Sequence, residues 1–178
     1  SGAVIESGIP APNTCAARVI GLSGAKTGSF TVGDGTSTNF AGVISGSRIT
    51  AGGTIFTKQG TGILTLSGTN TYSDVTAITA GGITLKSNAG LGATGANNGT
   101  TVSSGAVLAL DGTGGNLTVG AELLTLNGTG LAATPAGALR NIGGTNSFAG
   151  AITLGSAGPI TSSAGTLTLT GAITEGAN

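Results

Sequence analysis

The chain has 178 residues, with six basic and six acidic side chains, no histidine, and charged residues at only 7% of the total. It lacks the basic stripe that phosphate backbones require, so nucleic-acid binding is not expected. Without histidine, imidazole metal sites and Ser-His-Asp chemistry are excluded. No apolar run approaches the length of a membrane span.

Glycine supplies 36 residues and threonine 30, while hydrophobic residues make up 38% and aromatics 3%. There is no Gly-X-Y period, so collagen is excluded, and the apolar content is too high for a disordered chain. Small and β-branched apolar residues alternating with Thr and Ser are a strand composition. With so few aromatics the core must be thin, which fits a narrow solenoid better than a broad sandwich. The chain does not start with Met and shows no signal peptide, so it reads as an excised segment of a larger precursor.

In chain order, residues 1–28 read as an irregular or capping segment. Pro10 and Pro12 favour extended or loop chain there, while Val4-Ile5 and Arg18-Val19-Ile20 have short-strand character. Cys15 is the single cysteine, so no internal disulfide forms, and it reads as an incidental or buried thiol. Residues 29–178 read as one repeat region. Gly33-Asp34-Gly35 has the look of a calcium turn, but the nonapeptide repeat is missing and a lone Asp supplies too few ligands.

The clearest unit runs from Lys58 to Lys86. Gly62-Ile63-Leu64-Thr65-Leu66-Ser67-Gly68 puts Leu64 and Leu66 on one side of a strand and Thr65 and Ser67 on the other. A turn at Gly68-Thr69-Asn70 leads past Tyr72 to a strand over Val75–Thr79, then through Ala80-Gly81-Gly82 to Ile83-Thr84-Leu85. Short strands with glycine corners and no helical period predict one coil of a parallel β-helix.

The same form returns at Leu108-Ala109-Leu110, Leu117-Thr118-Val119, Leu124-Thr125-Leu126, Ile152-Thr153-Leu154 and Leu167-Thr168-Leu169. Both apolar members of each of these triplets are expected inside, except that Leu117 and Val119 carry no assignment. Asn88–Gly99 and Leu131–Arg140, with Pro135, read as loops. A longer match joins Gly68, Asn70 and Tyr72 to Gly144, Asn146 and Phe148, with Phe40 as a third aromatic of the set. Asn suits such corners because it tolerates left-handed backbone and bonds the local chain. The three aromatics are expected at equivalent corners. About 20 to 25 residues per coil predict seven or eight coils.

These residues carry a resemblance. Phe40-Ala41-Gly42-Val43-Ile44-Ser45-Gly46 and Thr57 to Tyr72 resemble the autotransporter-associated β-strand repeat, also called the passenger-associated transport repeat. The pieces Gly137–Asn141 and Ala164–Ile173 look similar to other parts of such passengers. Asp74 stands where that family usually has Gly. The resemblance implies a right-handed parallel β-helix in a single domain, secreted and displayed outside the outer membrane of a Gram-negative bacterium. With the Gly/Thr composition and the missing catalytic residues, it points to a non-enzymatic structural role as stalk or adhesin, whose partners are other copies or neighbouring coils of the same protein, or a host or cell-surface ligand.

The carboxylates Glu6, Asp34, Asp74, Asp111, Glu122 and Glu175 are scattered and read as solvated corner residues. No catalytic residue, metal ligand or cofactor is therefore expected. The sequons at Asn98, Asn116 and Asn127 are what chance gives in a Thr-rich chain. Two other readings stay open. One is a filament subunit joined end to end, since neither terminus shows a polar cap. The other is a carbohydrate-active β-helix enzyme, which needs two carboxylates brought within about 5 to 10 Å.

Overall fold

The structure is a computed structural model that describes residues 3–7, 13–15, 19–21, 28–32, 37–46 and 54–176. The first coil holds β1 (Ala3–Ser7), β2 (Asn13–Cys15) and β3 (Val19–Gly21), and the second β4 (Gly28–Val32), β5 (Ser37–Phe40) and β6 (Val43–Ser45). Two coils follow with two strands each, β7 (Thr54–Gln59) with β8 (Ile63–Leu66), and β9 (Val75–Ile78) with β10 (Gly81–Leu85). Three-stranded coils then return: β11 (Gly99–Val102), β12 (Ala106–Asp111) and β13 (Thr118–Val119), and next β14 (Leu123–Leu126), β15 (Leu139–Gly143) and β16 (Thr145–Phe148). The last are β17 (Ile152–Leu154), β18 (Ile160–Ser162) and β19 (Thr166–Leu169), with β20 (Ile173–Glu175) starting one more turn.

Every pairing is parallel and joins one coil to the next. The first side is an eight-stranded sheet in the order β1-β4-β7-β9-β11-β14-β17-β20, and the second a seven-stranded sheet from β18 to β2. The third side is β3 with β6 at one end and β13-β16-β19 at the other. Between them Thr71 N–H donates to Ile44 O at 2.9 Å and Ala93 N–H to Tyr72 O at 2.8 Å, so the third wall continues as irregular chain. The described residues contain no helix, and so none that is long and apolar enough to cross a membrane.

Register measures the coils. Val4 pairs with Ser29, and the column continues through Thr57, Ala77, Thr101, Thr125, Thr153 and Thr174. Successive members lie 25, 28, 20, 24, 24, 28 and 21 residues apart, and two of the seven exceed the expected coil length. At about 4.8 Å per rung, the eight rungs rise about 34 Å. The segment before Ser29 carries β1, β2 and β3 of these same sheets.

Alternation decides what faces inward. On the second sheet Leu64, Ile83, Leu108 and Leu139 form one buried column, and Leu66, Leu85 and Leu110 another, each residue 0% exposed. Leu124, Leu126 and Ile152 on the first sheet are buried as expected. Leu154, Leu167 and Leu169 are only partly buried, because the wall beyond them thins to β20. The outward Thr84 and Ala109 are also buried, at 8% and 6%. Both are small and lie between register partners in the middle of a sheet, so neighbouring rungs shield them. Leu139 and Arg140 fall in β15 rather than in the loop predicted over Leu131–Arg140. Asn141 there takes the inward position that a Leu fills in the earlier coils, which breaks the apolar signal.

Candidate functional site

The corner motif can now be placed. Thr76, Thr100, Leu124 and Ile152 form one inward column of the first sheet. Gly68, Asn70 and Tyr72 precede Thr76 by eight, six and four residues, and Gly144, Asn146 and Phe148 precede Ile152 by the same intervals. Phe40 belongs elsewhere. It lies on β5 in the second sheet, where its register partners are Cys15 and Leu66. Its match to the other two aromatics is one of sequence only, because Phe40 stands on the second side of its coil, whereas Phe148 stands on the third.

The two asparagines work through the backbones of neighbouring coils. Asn70 Oδ1 accepts from Ile44 N–H at 2.8 Å, 26 residues earlier, and its Nδ2 donates to Gly90 O at 2.6 Å, 20 residues later. Asn146 Oδ1 accepts from Leu117 N–H at 2.7 Å, while its Nδ2 donates to Gly143 O at 2.8 Å and to Asn141 Oδ1 at 2.6 Å. Asn70 is 3% exposed and Asn146 1%, so these bonds are shielded from water. Asn70→Ala is expected to lower stability by roughly 2 to 4 kcal/mol, because a buried N–H and a buried carbonyl lose their partner together. A urea melt within error of the native chain would show that water replaces the carboxamide.

The glycines meet two different demands. A Cβ on Gly68 would collide with the carbonyl oxygen of Gly42 on the coil before. Gly144 combines a φ of 80° with a similar approach to Gly112 O. At Asp74 a non-glycine residue holds a φ of 92°, a region L-residues avoid.

Tyr72 opens a polar enclave in the core. Its ring lies 5.7 Å from that of Phe56, tilted by 34°, and its hydroxyl hydrogen-bonds Thr76 Oγ1 at 2.7 Å. Burial pushes the phenol well above its ordinary range. Thr76 pairs in register with Thr100, whose hydroxyl donates to Glu122 Oε1 at 2.8 Å. Glu122 is 1% exposed, and its Oε2 is buried with no partner. Burial raises its carboxyl to about 7, against a smaller lowering by the Thr100 bond.

A second charged side chain points inward. Lys58 shares a column with Ile78 and Val102 and is fully buried. Its Nζ donates to the carbonyls of Gln59, Gly60 and Ala80 at 2.9, 2.7 and 3.1 Å. Burial lowers the amine to about 8.

Glu122 and the buried Asp74 therefore depart from the expectation of solvated carboxylates. Asp111 pairs with Lys86 at 3.0 Å on the corner after the second sheet. Partial burial alone would raise its carboxyl, but bonds from Thr113 and Lys86 outweigh this and hold it below its ordinary value. Glu175 is exposed. Asp34, the Gly33-Asp34-Gly35 turn and the side chains of Glu6 and Cys15 lie outside the described residues. Among the described residues no three His, Cys, Asp or Glu side chains converge. Alternation did hold a signal for Lys58, since Phe56 and Lys58 alternate with Thr57 and Gln59. Nothing local marks Glu122, whose place follows from the stacking of distant coils.

Residues 56–85 match the family described as Passenger-associated-transport-repeat, which spans β8, β9, β10 and the corner with Asn70 and Tyr72. No curated protein and no solved structure matches the chain. The matched repeat and the parallel β-solenoid together fit a segment of an autotransporter-like passenger.

Proposed function

We propose that this chain is a non-enzymatic part of an extracellular passenger, serving as stalk or adhesin outside the outer membrane of a Gram-negative bacterium. The observation that carries this reading is the passenger repeat at 56–85, set inside an unbroken stack whose corner motif returns 76 residues later at 144–148. The absence of histidine and the burial of Glu122 and Asp74 away from solvent support a role without catalysis. The partner would be a host or cell-surface ligand, or the neighbouring coils of the same protein.

Surface display tests the reading. The chain is joined to an export signal and a translocator barrel in a Gram-negative host, and protease is added to intact cells. Cleavage of the native chain is expected, with much less when an unrelated linker replaces 56–85. A native chain that stays protected inside the cell would overturn the proposal.

A second reading is a filament subunit, in which the parallel ladders of one solenoid continue into those of another copy. β18, β19 and β20 carry no Lys to oppose such pairing, and Ile173 is 48% exposed. Electron microscopy of the purified chain separates the two, since dispersed particles at high concentration are incompatible with the filament.

A further inference from the structure

One corner of the solenoid carries a groove that neither the repeat nor the core requires. Leu66, Leu85 and Leu110 are register partners, so the residues after them, Ser67, Lys86 and Asp111, climb the corner one per coil. Opposite them stand Asn88 and Asn116. Asn88 Oδ1 accepts from Thr118 N–H at 2.8 Å and Asn116 Oδ1 from Thr145 N–H at 2.9 Å, so each carboxamide is tied to the coil that follows. Both asparagines line the groove. Leu117, 4% exposed, is the apolar residue of the lining, and the open groove has a volume of about 400 Å³.

We propose that this groove binds a short stretch of a neutral oligosaccharide lying along the solenoid axis. Ser67, Lys86 and Asp111, stepped by about 4.8 Å per rung, offer a hydroxyl, an ammonium and a carboxylate at intervals close to the length of one sugar ring in an extended chain. Asp111 accepts from hydroxyls, Lys86 and the two carboxamides donate, and Leu117 takes a C–H face. The ion pair at 3.0 Å cancels the local charge, so no surplus cation is left to favour an acidic ligand. A peptide strand fits poorly, because strand addition needs an open sheet edge and this groove lies on the side of the stack. A single carboxylate lines it, which allows binding but not the paired acid–base cleavage of a glycosidic bond. The proposal goes beyond the passenger reading and does not depend on where the chain is displayed.

The test is an amide NMR titration of the whole chain with cellohexaose, chitohexaose and mannohexaose, and with hexagalacturonate as the acidic arm. At least one neutral sugar is expected to give saturable shifts at residues 86–88 and 111–117. Asp111→Ala and Asn116→Ala are each expected to weaken it about tenfold or more, as the loss of one well-placed hydrogen bond does. Lys86→Gln, at an exposed side chain, provides a variant that keeps the fold if Asn116→Ala does not. Thr125→Lys, on the outer face of the first sheet, is expected to leave binding unchanged. No saturable shift with any neutral sugar, tighter binding of hexagalacturonate, or equal loss with Thr125→Lys would each overturn the proposal.

Discussion

Leu66→Asp is expected to abolish cooperative folding of the middle coils, at a cost of about 4 kcal/mol or more. Leu66 is 0% exposed and lies in register between Phe40 and Leu85, each of them buried. A carboxylate there meets only apolar neighbours above and below, and no cation lies in its column. Thr65→Asp, one residue away on the outward side, is expected to change stability by less than about 1 kcal/mol. Urea melts followed by far-ultraviolet circular dichroism compare the two. Equal midpoints for Leu66→Asp and Thr65→Asp would mean that the inward face of β8 is wrongly assigned.

That contrast rests on what the sequence shows most plainly. Leu64-Thr65-Leu66, Ile83-Thr84-Leu85 and Leu108-Ala109-Leu110 announce strands because apolar side chains recur at period two. The corner motif was also readable, since Asn70 and Tyr72 recur as Asn146 and Phe148 with the same spacing. What stayed hidden has one physical origin. Coil length varies from 20 to 28 residues, so local sequence cannot tell which residue stacks on which. Phe40 looks like a partner of Tyr72 but stacks on Leu66 in another sheet. Leu139 and Arg140 look like loop but open β15, where the next residue, Asn141, stands in the inward column of Leu110. The Asn70 carboxamide suits a bond to its own local chain, yet it bridges the backbones of the coils before and after it. A charge inside the solenoid is hardest to foresee where nothing local marks it, as at Glu122, which reads as solvated until its coils are stacked.

Glu122 and Lys58 together predict an unusual pH profile. Glu122 is raised in the folded chain from 4.5 to about 7. The fold therefore binds a proton that the unfolded chain has released, and stability present below about pH 4.5 is lost as pH rises to about 7. The full loss is on the order of 3 kcal/mol. Lys58 is lowered from 10.5 to about 8, so the unfolded chain holds a proton that the fold releases. Stability is then regained as pH climbs from about 8 to 10.5. Asp111 acts in the opposite sense to Glu122, but it is partly exposed and its loss falls at more acid pH. The expected curve has a trough between about pH 7 and 8, where many proteins are most stable. Glu122→Gln keeps an acceptor for the Thr100 hydroxyl and carries no charge, so it is expected to flatten the acid side of the trough. Lys58→Met, which keeps an unbranched stem, is expected to flatten the alkaline side. Urea denaturation of the native chain and both variants at intervals from pH 4 to 10 measures all three curves. A native chain whose stability holds level or rises between pH 4.5 and 7 would mean that Glu122 is not buried in that enclave. An acid limb that Glu122→Gln leaves unchanged would place the proton on another group.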